Sequence, residues 1–189
     1  MALSKIQTAE MLDTPNLGRR NLMVNGSHRI AQRSIAAVTA STTANYHSVD
    51  RWKSDIDGSA GHTWSHGQST DAPIGFSHSS KITVVSNGAQ PTGTGTSHQF
   101  YSMLEKREVE HLEWGTSNAR TVTFSFYVKS SVAGKYGIRF IHYGSSSSYI
   151  YNTHYTINSA DTWERKTITI TGPTTGGITA PHNDQAWLV

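Results

Sequence analysis

The sequence comprises 189 residues, of which 15% are charged and 35% are hydrophobic, and its formal net charge is +3 at pH 7. A chain of this length can form one domain with a substantial core, or one domain with an extension. The absence of cysteine excludes disulfide bonds and thiolate metal sites. The lysines and arginines are scattered and do not form the clustered charge typical of nucleic-acid binding. No apolar run approaches the roughly 18 residues that a membrane-spanning helix requires.

The first 18 residues differ in character from the rest of the chain. Their apolar residues are spaced so that they can form one side of a short amphipathic helix: Leu3, Ile6, Met11 and Leu12. Pro15 would end this helix, because proline disfavours helical backbone at the residue before it. An isolated helix this short is marginal in water. The segment is therefore either a frayed tail or a docking peptide that becomes ordered on a partner.

Between residues 19 and 112 the sequence predicts short strands separated by polar loops. Tyr46–Trp52 is interpreted as a strand that buries the tryptophan, and Lys81–Val85 as a second strand that ends before a turn at Asn87-Gly88. The charge pattern of Phe100–Leu112 would allow a helix. In an otherwise β-rich chain we predict a strand there.

Residues 113–172 carry the clearest periodic signal. Apolar residues occupy every second position at Val122, Phe124, Phe126 and Val128, which predicts a strand with one face in a core and the other in water. Three further strands follow at short, regular spacing, around Tyr136–Phe140, Tyr149–Ile157 and Trp163–Thr171. Turn residues separate them, and this arrangement is typical of an antiparallel all-β sandwich or barrel.

Two patterns of ionisable residues do not predict a catalytic or metal site. His62 and His66 have the spacing of a helical metal-ligand pair, but neighbouring glycines argue against a helix and no further ligands accompany them. Glycoside hydrolysis needs two carboxyl groups across a cleft, and nothing indicates such a cleft between the acidic residues of the densest cluster: Glu105, Glu108, Glu110 and Glu113. We therefore predict no catalytic residue, no metal and no cofactor.

Three tyrosines flank the Gly-Ser tip at Gly144–Ser148: Tyr143, Tyr149 and Tyr151. Tyr, Ser and Gly are the residues that adaptable recognition surfaces use, and aromatic faces stack on sugar rings. Cross-strand packing of tyrosines is the alternative explanation. These three residues are the candidate glycan contacts.

Several segments, in order and at matching spacing, resemble a module of tailed-bacteriophage tail fibres and related appendages. They are NLMVNGSHRIAQRS, YHSVDRW, LEWGTSNARTVTFSFYVKSSVAGKYG and YTINSADTWERKTITITG, and the resemblance extends from about Gly18 to the end of the sequence. It implies a jelly-roll-like β-sandwich, similar to carbohydrate-binding modules, over residues 19–189. It also implies that residues 1–18 attach the fibre to the tail.

The resemblance has one departure, at Trp187–Val189. The family's module normally continues through further strands, whereas this sequence stops at the start of what looks like another strand. We therefore expect a sandwich that lacks its last strands. A sandwich of that kind has an exposed edge and an uncovered core face, which either another chain or a continuation of a longer fibre protein would cover.

The resemblance implies a structural virion protein located in a tail appendage, not an enzyme. Its expected partners are phage tail proteins of the adaptor or nozzle, further copies of itself in a homotrimer, and host-surface glycan, without nucleic acid and without membrane insertion. A head-decoration or tail accessory protein is one alternative. A polysaccharide-degrading tail enzyme that uses carboxylates between Glu105 and Glu113 is another.

Overall fold

The computed structural model describes residues 21–39, 46–57, 63–86, 97–143 and 148–175. Its elements, in chain order, are β1 (Val38–Thr39), β2 (Trp52–Asp57), β3 (Thr63–Ser69), β4 (Ser79–Ser86), β5 (Ser97–Ser102), α1 (Lys106–Val109), a 3₁₀ turn (Glu110–Leu112), β6 (Val122–Val128), β7 (Gly134–Tyr143), β8 (Ser148–Ile157) and β9 (Glu164–Ile170). Strands β1, β3 and β4 form one sheet in that order, while β2 pairs with β5, β6 with β9, and β7 with β8. These pairs are all antiparallel. The predicted antiparallel all-β fold is confirmed.

The periodic pattern of residues 113–172 is found in the structure as predicted. Along β6 the side chains at Val122, Phe124, Phe126 and Val128 are half-buried, and the residues between them are exposed. Strand β9 pairs with β6 so that Ile168 lies opposite Phe124. Since residues directly opposite each other on antiparallel strands share a face, the apolar side chains of the two strands form one continuous surface.

The prediction of a strand over Phe100–Leu112 is wrong beyond Ser102, where β5 ends. The chain turns into α1 instead, because the Glu108 carboxylate accepts a hydrogen bond from the backbone N–H of Glu105 at 2.9 Å. A glutamate that reaches back to the residue preceding the first turn is half of a capping box and stabilises a helix start. The local capping interaction thus outweighs the β-rich context.

The strand predicted at Tyr46–Trp52 begins only at Trp52. Residues 46–51 form bends and a turn, and Arg51 has a left-handed backbone with φ of 71°. A left-handed residue interrupts the extended backbone of a strand. The burial of Trp52 itself is as predicted.

The main core lies between the β6–β9 pair, the β7–β8 pair and the helical segment. Its buried side chains are Leu104, Val109, Leu112, Trp114, Phe140 and Ile170. Leu22 and Met23 pack against it from the N-terminal segment. The two strand pairs meet through aromatic edges, since the rings of Phe124 and Phe140 have centroids 5.6 Å apart at 78°. Edge-to-face contacts of this kind stabilise a core beyond the area that they bury.

A second cluster of rings joins the N-terminal segment to the other strands. Trp52 of β2 stacks on Phe100 of β5 with centroids 5.0 Å apart. His28 packs edge-on against Trp52 at 4.8 Å, and His66 of β3 packs edge-on against Phe100 at 4.8 Å. This cluster places two histidines inside the protein.

Asp71 connects the loop after β3 to the β6–β9 pair. Its carboxylate accepts hydrogen bonds from Lys129 Nζ and from Trp163 Nε1, the latter at 3.0 Å. These hydrogen bonds hold the pKa of Asp71 below its ordinary value. The Lys129 ammonium also lies 5.4 Å from the centroid of the Trp163 ring, so three side chains from three segments fix one another at this end of the strands.

In the described part of the chain, no helix has the length and hydrophobicity that a membrane span requires.

Replacing Ile170 by alanine should lower the free energy of unfolding by about 2–5 kcal/mol, since the side chain is 2% exposed in the main core and its loss leaves a cavity. Urea denaturation followed by fluorescence measures the change. Val132→Ala is the control, because Val132 is 64% exposed and its truncation should cost within about 0.5 kcal/mol. Equal effects of the two changes would contradict the assigned core.

Candidate functional site

An open cleft lies where the end of the β7–β8 hairpin meets the chain after β9. It has a volume of about 130 Å³ and is lined by Trp114, Phe140, Tyr149, Ile150, Tyr151, Ile170, Thr171 and Pro173. None of these side chains is charged. The lining is aromatic and aliphatic apart from hydroxyl groups, which is the usual character of a site for a small organic ligand.

Trp114 forms the floor of the cleft and is held firmly in place. Its ring is buried, and Nε1 donates a hydrogen bond to the Arg120 carbonyl oxygen at 2.6 Å. Gly172 lies directly against the ring, because a Cβ atom at this position would be 2.5 Å from Trp114 Nε1. The backbone N–H of Gly115 donates to the Pro173 carbonyl at 2.7 Å. The chain after β9 therefore runs close to Trp114, and glycine is required at position 172 for that approach.

Phe140 and Tyr151 occupy opposite positions on β7 and β8. Side chains at such positions lie on the same face, and the two rings have centroids 6.2 Å apart. Phe140 is buried, whereas Tyr151 is 42% exposed. One ring thus belongs to the core, and its neighbour presents aromatic surface to solvent.

Tyr149 and Ile150 form the side of the cleft nearest the hairpin tip. The Tyr149 hydroxyl donates a hydrogen bond to the Thr175 carbonyl oxygen, which ties β8 to the chain after β9. Ile150 lies opposite Ile141 on the paired strand and is exposed. The hydroxyl contact therefore holds the end of the Tyr149 side chain on this side of the cleft.

Two of the three tyrosines predicted as glycan contacts, Tyr149 and Tyr151, lie together in this cleft. Tyr143 is the last residue of β7, opposite Ser148, and its side chain is outside the described part of the structure. The sequence interpretation missed Trp114 and Phe140. The sequence carries no signal that singles out Trp114, because the positive φ angles of its neighbours Glu113 and Gly115 are features of the fold.

The predicted tail-docking residues, Leu3, Ile6, Met11 and Leu12, lie outside the described residues, as do Trp187–Val189.

The glutamates near α1 have structural partners. Arg51 approaches Glu105 at 3.4 Å and Glu108 at 3.8 Å, and Glu108 also caps the backbone at Glu105. These carboxylates hold the turn before β2 against α1. The cleft lies elsewhere, and none of them lines it.

Of the two histidines considered as metal ligands, His62 lies outside the described residues. His66 points into the cluster of rings around Phe100. Among the residues that the structure describes, no group of three or more His, Cys, Asp or Glu side chains is arranged to hold a metal ion.

Comparison with known proteins found no matching family model, no matching curated protein and no matching solved structure.

Replacing Gly172 by alanine should lower the free energy of unfolding by about 1–3 kcal/mol, because the added Cβ overpacks the contact with the Trp114 ring. Thermal or urea denaturation measures the loss. Gly137→Ala is the matched control, since no atom lies within 4 Å of the added Cβ at that position. If Gly172→Ala is as stable as the control, the close approach of residue 172 to Trp114 is not as described.

Proposed function

We propose that this chain is a structural virion protein of a tailed phage, in which it forms the N-terminal part of a tail fibre and contacts host-surface glycan through the aromatic cleft. The observation that carries the proposal is the placement of Tyr149 and Tyr151 beside Trp114 and Phe140. In this arrangement aromatic surface is exposed at the end of a rigid antiparallel hairpin.

The shape of the cleft favours a surface-bound sugar over an enclosed small molecule. Its volume of about 130 Å³ is well below the roughly 300–1,000 Å³ of pockets that enclose a ligand. The flat face of a tyrosine can lie against the C–H face of a single pyranose ring without surrounding it. Such a site accepts one unit of a long polysaccharide while the rest of the polymer remains in solvent.

The chemistry of the lining supports a neutral sugar face. Side chains at the cleft carry no charge, so no ion pair is available for an acidic substituent. Tyr151 and Thr171 line the cleft, and their hydroxyl groups can exchange hydrogen bonds with sugar hydroxyls. The aromatic faces supply apolar contact, and the hydroxyls orient the ring.

The virion assignment is supported by the ordered motifs between Gly18 and the end of the sequence that resemble the phage appendage module. The antiparallel strand pairs that face each other across the main core fit the jelly-roll-like sandwich that this module implies. A homotrimer docked to adaptor or nozzle proteins through residues 1–18 is the assembly that we propose.

Replacing Tyr151 by alanine should weaken glycan binding about tenfold or more, because a partly exposed aromatic ring at the centre of a small site is a typical hot spot. Binding to an array of purified bacterial surface polysaccharides, followed by titration of the best ligand, measures the change. Tyr127→Ala is the matched control: Tyr127 is 41% exposed against 42% for Tyr151, but it packs against Phe76 away from the cleft.

The two tyrosine variants show whether glycan binds at the cleft or at another surface. Loss of binding with Tyr151→Ala alone supports the cleft as the contact site. Equal binding by both variants and the unaltered chain assigns the glycan contact to another surface. Absence of binding by the unaltered chain to any polysaccharide on the array counts against glycan recognition by this domain.

Removing residues 1–17 should leave a folded domain that no longer assembles onto tails, since the proposed docking side chains at Leu3, Ile6, Met11 and Leu12 are lost. Circular dichroism of the shortened chain checks the fold. Mass spectrometry of purified particles, with the unaltered chain as reference, measures incorporation and copy number.

The particle measurement also tests the virion assignment itself. A few trimers of the unaltered chain per particle fit a tail fibre, whereas hundreds of copies would identify a head-decoration protein. A shortened chain that still enters particles would disprove the docking role of residues 1–17. Complete absence of the unaltered chain from particles would remove the basis for a virion protein.

A further inference from the structure

We propose that His28 is an acid-sensitive latch: its neutral imidazole holds the turn at His28 against β4, and protonation of the imidazole releases that contact. His28 belongs to the second cluster of rings, where it packs against Trp52. The latch therefore does not depend on the glycan cleft or on the virion assignment.

The contact at the centre of the latch fixes the protonation state of His28. The backbone N–H of Ser80 donates a hydrogen bond to His28 Nδ1 at 2.9 Å. A nitrogen that accepts a hydrogen bond uses the lone pair that a proton would need. Protonation of His28 at Nδ1 would therefore place an N–H group against the Ser80 N–H, and the bond would be lost.

The surroundings of His28 offer nothing that stabilises an imidazolium. Its Nε2 is buried and has no hydrogen-bond partner among the described residues, and its ring lies against Trp52. Burial lowers the pKa of His28 from 6.5 to about 4. The folded contact thus selects the neutral imidazole, while an imidazole released into water would keep its ordinary proton affinity.

The titratable groups around His28 oppose protonation further. His66 of β3 lies in the same cluster, with Nε2 3.4 Å from Ser80 Oγ, and its Nδ1 is buried without a partner among the described residues. Burial and the nearby His28 and His47 lower the pKa of His66 to about 4. Two histidines from different elements therefore converge on Ser80, and a charge on one makes a charge on the other more costly.

Charged side chains on the surrounding strands face other directions. Lys53 and Asp55 alternate along β2 with Trp52 and Ser54, so they lie on the opposite face of the strand. Lys53 contacts the Tyr46 ring at 4.8 Å.

Two further titratable residues lie in the turn before β2, His47 and Asp50, and both are half-buried. Burial lowers the pKa of His47 as well, and the backbone N–H of Asp50 donates to the Ile30 carbonyl oxygen at 2.9 Å.

The basic groups on β4, on β5 and in the segment itself, other than His28, are exposed. Lys81 follows Ser80 on β4 and is exposed, and Arg29 of the segment itself is exposed. His98 of β5 is exposed and packs against Trp64 at 5.3 Å. Within the described residues, no carboxylate lowers the cost of charging His28.

The turn at His28 has a second contact, which is made by Gln68. His28 has a left-handed backbone with φ of 54°, a conformation in which histidine is one of the enriched residues. Gln68 Nε2 donates to the carbonyl oxygens of His28 and Arg29 at 2.7 and 3.0 Å, which holds this turn against β3. Loss of the Ser80 bond removes one of the contacts that keep His28 in this conformation.

The direction in which pH changes the stability of the latch follows from two pKa values of His28, about 4 in the latched form and 6.5 in the released form. Above about pH 6.5 neither the latched nor the released imidazole carries a proton, and the latch has its full stability. Below that pH the released imidazole binds a proton, whereas the latched imidazole stays neutral. The equilibrium constant for release therefore rises about tenfold for each pH unit, until the pH reaches about 4.

Amide hydrogen exchange of the full chain, measured by NMR, tests the latch at Ser80. The protection factor of the Ser80 amide should fall by about tenfold or more between pH 7 and pH 5. An amide within the β6–β9 pair, such as that of Ile168, reports on the remainder of the fold, and at pH 5 it should stay better protected than the Ser80 amide because the latch opens locally. A Ser80 amide with the same protection factor at both pH values overturns the proposal, as does a Ser80 amide that is as well protected as Ile168 at pH 5.

His28→Asn is the discriminating variant. Asparagine tolerates the left-handed backbone, and its Oδ1 can accept the Ser80 N–H where Nδ1 does, but it does not titrate. Its Ser80 protection should therefore fall much less between the two pH values than in the unaltered chain, since only the part of the response linked to His66 remains. His154→Asn, which removes an exposed histidine of β8, should keep the response of the unaltered chain. A pH response that survives undiminished in His28→Asn, or that disappears in His154→Asn, overturns the proposal.

A direct measurement on the unaltered chain covers the case in which His28→Asn fails to fold. Long-range ¹H–¹⁵N spectra of the imidazole report its tautomer and its protonation. The latch requires a neutral His28 with the proton on Nε2 at pH 7, and protonation that coincides with the loss of Ser80 protection. A His28 protonated at pH 7, or one that titrates while Ser80 stays protected, overturns the proposal.

Discussion

Phe140 connects the core of this protein to its candidate site. Its ring packs edge-on against Phe124 and at a tilt against Tyr151, with centroids 5.6 and 6.2 Å away. The next residue on β7, Ile141, is buried on the opposite face against Tyr101. Because both faces of the strand are covered at this point, β7 cannot shift without disturbing two sets of contacts. Phe140 therefore brings the packing of the core directly to the cleft, and a side chain that is already fixed in a site reduces the ordering cost of binding a ligand there.

The strands of residues 113–172 could be predicted from sequence because alternation reports directly which side chains face inward. Alternation does not show which strands lie next to each other in the fold, and the cleft is formed by residues from several such strands. Trp114 and Gly172 are far apart in sequence, and only their contact in the fold explains why residue 172 must lack a side chain. Tyr149 and Tyr151 were found because they flank a Gly-Ser tract, whereas Phe140 has the sequence environment of an ordinary core residue.

The helical turn at 106–109 shows the limit of reasoning from the class of the fold. The β-rich surroundings favoured a strand, yet the hydrogen bond between the Glu108 carboxylate and the Glu105 N–H is made within three residues and needs no partner strand. The histidines show the opposite case. Residues 62 and 66 are close in sequence, but the neighbours of His66 in the fold are His28, Ser80 and Phe100. No local spacing predicts such a cluster.

The N-terminal segment is anchored by contacts of different character. Leu22 and Met23 pack on the main core. Further along, Gln68 donates to the His28 carbonyl oxygen, and the His28 imidazole bonds to Ser80 of β4. Apolar burial and the Gln68 bond do not change with protonation of a histidine, whereas the Ser80 bond does. Acid would therefore break the Ser80 contact and leave the packing of Leu22 and Met23 in place. The core beneath the cleft would keep its contacts, so the latch and the cleft can act independently.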